Sequence, residues 1–344
     1  MNHKQQNPSR LNSLSRQLTV LALLCGSLNP SASAQNAADP AVATQPAAGS
    51  APSAATTDLP AADQILSQLR ERLESLENLQ CDLHQTALIN GVSIVSAGRY
   101  AEASGNRVRL QLMLFPTAPF TVQTKEDTRL EADPKTPAEE SARGSLLQVS
   151  DGTVLHTEWK NGAAVQVTRR TIADILAAAE SVEDYAASAV LADLGVGGMR
   201  ALIARLQDTM TFAPVKELTV NDRQILQVTG RWSDRVRREI FQLPEDGFVD
   251  SRPWVPEYVQ VFVDAETRLP RRIQFLKHSL NPSQKIARPL LTLDLRKIEI
   301  NGQIDEQLFS YRPPEGAAEE DQTEAVIRSI KGDPQPAASP ADPQ

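Results

Sequence analysis

The side chains most able to do chemistry are few and far apart. The chain has two cysteines, Cys25 and Cys81, and four histidines, His3, His84, His156 and His278. No H-E-x-x-H, C-x-x-C or H-x-H spacing joins them, so no pair is preset to share a metal ion. No G-x-S-x-G elbow, P-loop or G-x-G-x-x-G turn occurs either. The reading is therefore non-enzymatic, with no catalytic residue, metal or cofactor assigned. A hydrolase with a scattered site stays open only if a histidine and a carboxylate meet in a cleft. His84 alternates with Leu83 on a strand and reads as a surface histidine. Gly195-Val196-Gly197-Gly198 is Gly-rich, but no strand precedes it and no lysine follows. It reads as a helix break, with phosphate binding a weaker alternative.

What remains is binding chemistry. Leu110, Leu112, Leu114, Phe120, Val122, Ile175, Leu202, Leu206 and Phe262 are candidate lining residues of an apolar cavity. Ordinary core packing is the alternative for each, since periodicity cannot tell a filled interior from an empty one. Arg231-Trp232-Ser233-Asp234-Arg235-Val236-Arg237-Arg238 is the densest basic cluster in a chain of formal charge -8. Arg231 and Arg235, with Arg107 and Arg109, are candidate contacts for an anion or lipid headgroup. A solvated surface, or pairing with the acidic tail, would explain them equally well.

These residues need elements to position them. His3, Lys4, Arg10 and Arg16 precede an apolar run from Leu18 to Leu28, and Ala32-Ser33-Ala34 follows. This is the pattern of a cleaved secretory signal peptide over residues 1–34, with a retained anchor as the alternative. The run of about eleven residues falls short of the ~20 needed to span a bilayer. A lipobox is disfavoured, because Leu24 stands where a small residue is wanted before Cys25. Cleavage after Ala34 removes three basic residues and moves the formal charge from -8 to -11. It leaves Cys81 as the one cysteine, so no internal disulfide can form. The expected location is periplasmic or secreted, with no transmembrane segment in the mature chain. The acidic balance argues against nucleic acid as a partner.

Residues 35–60 are Ala, Pro, Ser and Thr with almost no large apolar side chain, and read as a disordered spacer. Residues 317–344 read as a disordered acidic and Pro-rich tail, and residues 125–143 as a loop inserted between strands. The folded part is 61–316.

It opens with a helix. Ile65, Leu66, Leu69, Leu73, Leu76 and Leu79 recur at three and four. The period then drops to two at Leu79, Cys81 and Leu83, which marks a half-buried strand. Asn90-Gly91, Asp151-Gly152 and Asn161-Gly162 are hairpin turns, so the strands form an antiparallel meander. Thr171 and Asp174 resemble a capping box at the start of a helical middle. Met199–Met210 is a further helix, and strands resume from Val215. The fold class is α+β: a strongly curved antiparallel sheet of about ten or eleven strands, forming a partly open β-barrel covered by helices.

Three segments carry a family resemblance. Val261-Phe262-Val263-Asp264-Ala265-Glu266-Thr267-Arg268-Leu269-Pro270-Arg271-Arg272-Ile273 resembles the strand, D-x-x-T-x-L-P, strand hairpin of LolA/LolB-like and RseB-like periplasmic proteins. Ile298-Glu299-Ile300-Asn301, Ile304-Asp305 and Phe309-Ser310-Tyr311-Arg312-Pro313-Pro314-Glu315-Gly316 resemble their C-terminal ending. Val149-Ser150-Asp151-Gly152 resembles their central hairpin. The resemblance spans about 65–316. It implies an unclosed barrel with a helical lid that carries acyl chains or lipoproteins, or senses envelope lipids. The partners it implies are an acyl chain or lipoprotein cargo and an envelope membrane partner. The chain departs from the carriers in its spacer, its insertion, its tail and the missing Trp near Arg107-Val108-Arg109-Leu110. The alternative within the same fold is an envelope scaffold or protein-interaction module with a filled core.

Overall fold

A computed structural model describes residues 59–89, 92–119, 142–182, 187–240, 255–278 and 287–331. The expected signal peptide, nearly all of the expected spacer, the expected loop up to residue 141, Phe120 and Val122 lie outside them.

Helix α1 (Ala62–Glu74) leads into strands β1 (Asn78–Ile89), β2 (Val92–Ala103) and β3 (Arg107–Pro119). After the insertion come β4 (Gly144–Asp151), β5 (Val154–Asn161) and β6 (Ala164–Thr171). Helices α2 (Ile172–Glu180), α3 (Ala187–Leu194) and α4 (Gly198–Thr209) follow. The second group of strands is β7 (Met210–Phe212), β8 (Lys216–Val220), β9 (Arg223–Trp232), β10 (Tyr258–Asp264), β11 (Pro270–His278) and β12 (Ala287–Ile300). A short 3-10 turn (Glu306–Phe309), strand β13 (Glu319–Asp321) and helix α5 (Thr323–Lys331) complete the chain.

The strands form one sheet in the order β13-β6-β5-β4-β3-β2-β1-β12-β11-β10-β9-β7, with β8 also on β9. Every pairing is antiparallel except β13 with β6. The order runs from β13 to β7 without joining them, so the sheet is open. Thirteen strands replace the expected ten or eleven. The two additions are three-residue edge strands, too short to show a period. Met210, which the apolar spacing puts at the end of a helix, instead opens β7, and Met210–Phe212 pairs with Gly230–Trp232.

The hairpins are held as their turn residues dictate. Ile89 lies opposite Val92, leaving two residues, Asn90 and Gly91, between them; these lie outside the described part. Asn161 faces Ala164 with Gly162 at φ 58°. Asn221 and Asp222 both have positive φ, as a two-residue hairpin of this hand requires. In the β10–β11 hairpin, Asp264 accepts hydrogen bonds from the Glu266 and Thr267 amides at 3.1 and 3.0 Å. A short acidic side chain at the head of a turn is suited to that role. Burial pushes the Asp264 carboxyl up, but these bonds and the Arg223 guanidinium outweigh it and hold it below the usual aspartate range.

One face of the sheet is covered by helices. The apolar stripe of α1, at Ile65, Leu66, Leu69 and Leu73, packs with Met199, Leu202, Ile203 and Leu206 of α4 against β1–β3 and β9–β12. Each such side chain contributes about 1.5–3 kcal/mol by leaving water. A second, smaller cluster joins Leu155 of β5 to Ile172, Ile175 and Ala179 of α2 and to Val190 and Leu194 of α3.

Two sequence expectations need correction. The Thr171 side chain makes no capping bond to α2. Its own amide instead donates to Thr323 Oγ1 at 2.9 Å, because the chain's C-terminal part competes for that corner. The tail is also ordered as far as Lys331. Val326, Ile327 and Ile330 sit at helical spacing and pack on the second cluster. That apolar face offsets the ordering cost that the acidic composition seemed to forbid.

Candidate binding site on the helix-covered face

Register decides which side chains share the inner, helix-covered face. Leu110, Leu112 and Leu114 alternate on β3. Leu112 faces Leu146 of β4, which faces Trp159 of β5. Leu112 is buried in the first cluster, and Ile94, Leu110 and Leu146 pack against its border. Ile94, Leu110, Leu114, Leu146 and Trp159 are only half-buried. They form an apolar strip bordering the first helix cluster, crossing four strands over roughly 14 Å at ~4.8 Å per strand.

Two glycines let the sheet bend along this strip. An added Cβ at Gly98 would lie 1.8 Å from the Gln111 carbonyl oxygen, and one at Gly144 would lie 2.5 Å from that of Lys160. Only glycine permits backbones to approach so closely.

At one end of the inner face is a polar cleft of about 60 Å³, lined by Leu76, Leu79, Glu102, Val108, Val196 and Arg200 among others. Glu102 accepts from Tyr100 Oη at 2.6 Å and from the Met199 amide at 2.9 Å. The Gly-rich break is what makes this possible. Gly198 has φ 65°, and a Cβ there would lie 1.8 Å from Glu102 Oε2. The start of α4 is thus occupied by the protein's own carboxylate, not left free for phosphate. Burial raises the Glu102 carboxyl above the usual glutamate range, against the opposing pull of Tyr100, Met199 and Arg200. Cys81, beside Tyr100 on the inner face, is buried, and desolvation pushes its thiol up to about 12. It is a small hydrophobe here.

The structure separates the candidates named from sequence. Leu112, Leu202 and Leu206 are buried together in the first cluster, and Leu110 and Leu114 lie on the strip. Ile175 belongs to the second cluster. Phe262 is buried on the opposite, outer face, because Val261 and Val263 take the inner one. Arg107 and Arg109 also point outward, since Val108 and Leu110 point in. Arg107 pairs with Glu306 and stacks over Phe309 at 5.4 Å; Arg109 donates to the Leu308 carbonyl at 3.1 Å. Arg231 lies on the outer face opposite Tyr258, and Arg235 is exposed beyond the end of β9. The four arginines therefore do not converge on the inner strip. Sequence reading missed Leu146, Trp159 and Ile94 as strip residues and Glu102 as the anchor of α4. Alternation across the hairpins was the signal for the first three; nothing in the sequence pointed to Glu102.

A histidine does meet a carboxylate: His156 Nδ1 lies 2.8 Å from Glu319 Oε1, and its ring stacks on Tyr311. Tyr311 Oη donates to Glu158 at 2.9 Å. The group sits on the outer face, apart from the cleft, and straps the C-terminal segment to β5. His84 is half-buried on the outer face of β1.

No family model and no curated protein matches the chain. Solved structures do resemble it. A LolA superfamily protein from Nitrosomonas europaea is 10% identical, covering 74% of this chain and 99% of that one, with a TM-score of 0.27. The Mycobacterium tuberculosis lipoprotein LppX is 7% identical over 71% of this chain and 98% of its own, at 0.34. The Pseudomonas aeruginosa MucA/MucB complex is 12% identical over 73% of this chain and 61% of that one, at 0.31. At these TM-scores the likeness bears on neither cargo nor mechanism. No helix among the described residues is long and apolar enough to cross a membrane.

Proposed function

We propose that this protein is an exported, non-catalytic binder of acyl chains or acylated polypeptide, acting as a carrier or sensor in the periplasm or outside the cell. The observation that carries the reading is the strip of Ile94, Leu110, Leu114, Leu146 and Trp159, apolar yet only half-covered beside the first helix cluster. Each methylene laid on such a surface gains up to about 0.8 kcal/mol, so one chain binds without any directional group. The signal-peptide pattern and the resemblance in the β10–β11 hairpin support export and the carrier reading. The cleft beside Glu102, at about 60 Å³, is far below the ~300 Å³ of an ordinary ligand pocket, so the cargo is assigned to the strip and not to that cleft.

A second reading has its own support. The first cluster is continuous from α1 through α4 to β12, as a protein-interaction module with a filled core would have it. Native mass spectrometry of the mature protein, gently purified from the exported fraction, separates the two. The carrier reading expects co-purifying acyl mass that is lost in Leu114→Asp and Leu146→Asp variants with unchanged circular dichroism. A clean apo mass, with no uptake of added acylated peptide, leaves the interaction module.

A further inference from the structure

The open edge of the sheet at β6 carries an independent clue. Strand β13 pairs with only Val167, Thr168 and Arg169 of the eight residues of β6. All three of its own residues are exposed. A turn in which the Ala317 amide donates to the Pro314 carbonyl brings the chain onto the edge late, with Gly316 at φ 77°. Val165, two residues earlier on β6, is 41% exposed, the one large hydrophobic side chain so exposed among the described residues.

The polar contacts here are selective in sign. Glu319 meets His156, and Asp321 meets Arg169 at 2.8 Å. Next along is Arg170, only 7% exposed. Its side chain donates to the neutral Gln322 Oε1 at 2.7 Å; Glu320 of the arm is a nearby charge but makes no hydrogen bond to it, and its Nε has no acceptor. A buried guanidinium facing an amide forgoes the charge-assisted, two-pronged bond that a carboxylate would offer. Of the arm's own ion pairs, Asp321–Arg169 is about half exposed and weak, and Glu319–His156 is partly covered.

We propose that the β6 edge, with Arg170 and the adjoining face of α2, is a docking site for an acidic extended segment of a partner polypeptide, and that the chain's own Glu319–Lys331 arm fills it in cis as a displaceable occupant. The partner adds a parallel strand longer than β13, covers Val165, and places a carboxylate where Gln322 stands. Backbone pairing supplies affinity and the basic side chains supply the sign.

The test uses the full mature chain and synthetic peptides spanning residues 315–331, with and without Gln322→Glu. An Ile327→Asp variant loosens the arm by placing a charge against the second cluster. The expected result is that the Gln322→Glu peptide binds this variant at least tenfold tighter than the unmodified peptide does. Arg170→Leu, introduced into the same variant, should erase the difference. In the otherwise native chain, Gln322→Glu should slow amide exchange across 319–326, which needs no destabilised variant. Equal binding of the two peptides, or unchanged exchange in the Gln322→Glu chain, overturns the proposal. Loosened chains that form concentration-dependent dimers by exchanging arms, and take up neither peptide, would make a second copy the occupant and overturn it too.

Discussion

The two helix-covered regions of this sheet are built differently. Under α1 and α4, strands β1–β3 and β9–β12 bury a continuous cluster in which Leu66 and Leu69 have no exposed surface. Under α2, α3 and α5, strands β5 and β6 offer chiefly Leu155, and half-buried α5 residues complete the layer. The first region is fixed by apolar area, and the second relies on a late-arriving arm and surface ion pairs. Stability that is unevenly spread lets one part of a molecule open while the rest stays folded. The apolar strip borders the first region, and none of its residues packs on the second.

The largest expected effect tests the strong region. Leu69→Ala leaves a cavity between α1 and α4 and should cost about 2–5 kcal/mol, read as a shift in denaturant midpoint with unchanged slope. A loss below 1 kcal/mol would mean that the first cluster is no tighter than the second. Thiol chemistry gives a second reading of the same region. Cys81 is buried with its thiol pushed up to about 12, so it should react with a disulfide reagent only as fast as the region opens. Fast labelling in native buffer would break the contrast.

Next in size is the β10–β11 hairpin. Asp264→Ala removes an acceptor from two amides and from Arg223, and should cost about 1–3 kcal/mol. The native carboxyl is held below its unfolded value, near 3.8. Its contribution is therefore present above that value and lost as pH falls through the native one. The wild type should lose this increment on acidification and Asp264→Asn should not; parallel curves for the two would assign the hairpin's stability elsewhere.

Glu102 shifts the other way and links the regions, since it holds the start of α4 just after α3. Its native carboxyl is raised by burial, so the folded state takes up a proton more readily than the unfolded chain. This site's contribution grows as pH falls through the raised value and levels off below the unfolded one, near 4.5. Glu102→Gln should flatten that part of the stability curve. An unchanged curve would show that another group carries it.

Much of this was legible in the residues. The spacing of Ile65, Leu66, Leu69 and Leu73 placed α1, and period two at Leu79, Cys81 and Leu83 placed β1. The turns at Asp151-Gly152 and Asn161-Gly162 pointed to a meander, because few residues besides glycine accept the positive φ that Gly152 and Gly162 adopt. What stayed hidden was what alternation on one strand cannot show. The inward or outward sense of Arg107 and Phe262 depends on which side the helices settle, and that is decided by packing far away in the chain. The ordered arm was hidden because its three apolar residues sit in a strongly acidic, Pro-flanked stretch. Glu102 was hidden because its role exists only once Gly198 is folded against it.

The smallest effect is the most discriminating. Ile327→Ala trims one half-buried side chain of α5 against the second cluster, and global stability should fall by under about 1.5 kcal/mol, since that site is only partly withdrawn from water. Amide exchange should nevertheless rise across α2, α5 and β13 and stay constant in α1 and α4. If exchange rises everywhere, the sheet opens as a single unit. If it rises only in the weaker region, the two regions open independently, as their different packing requires.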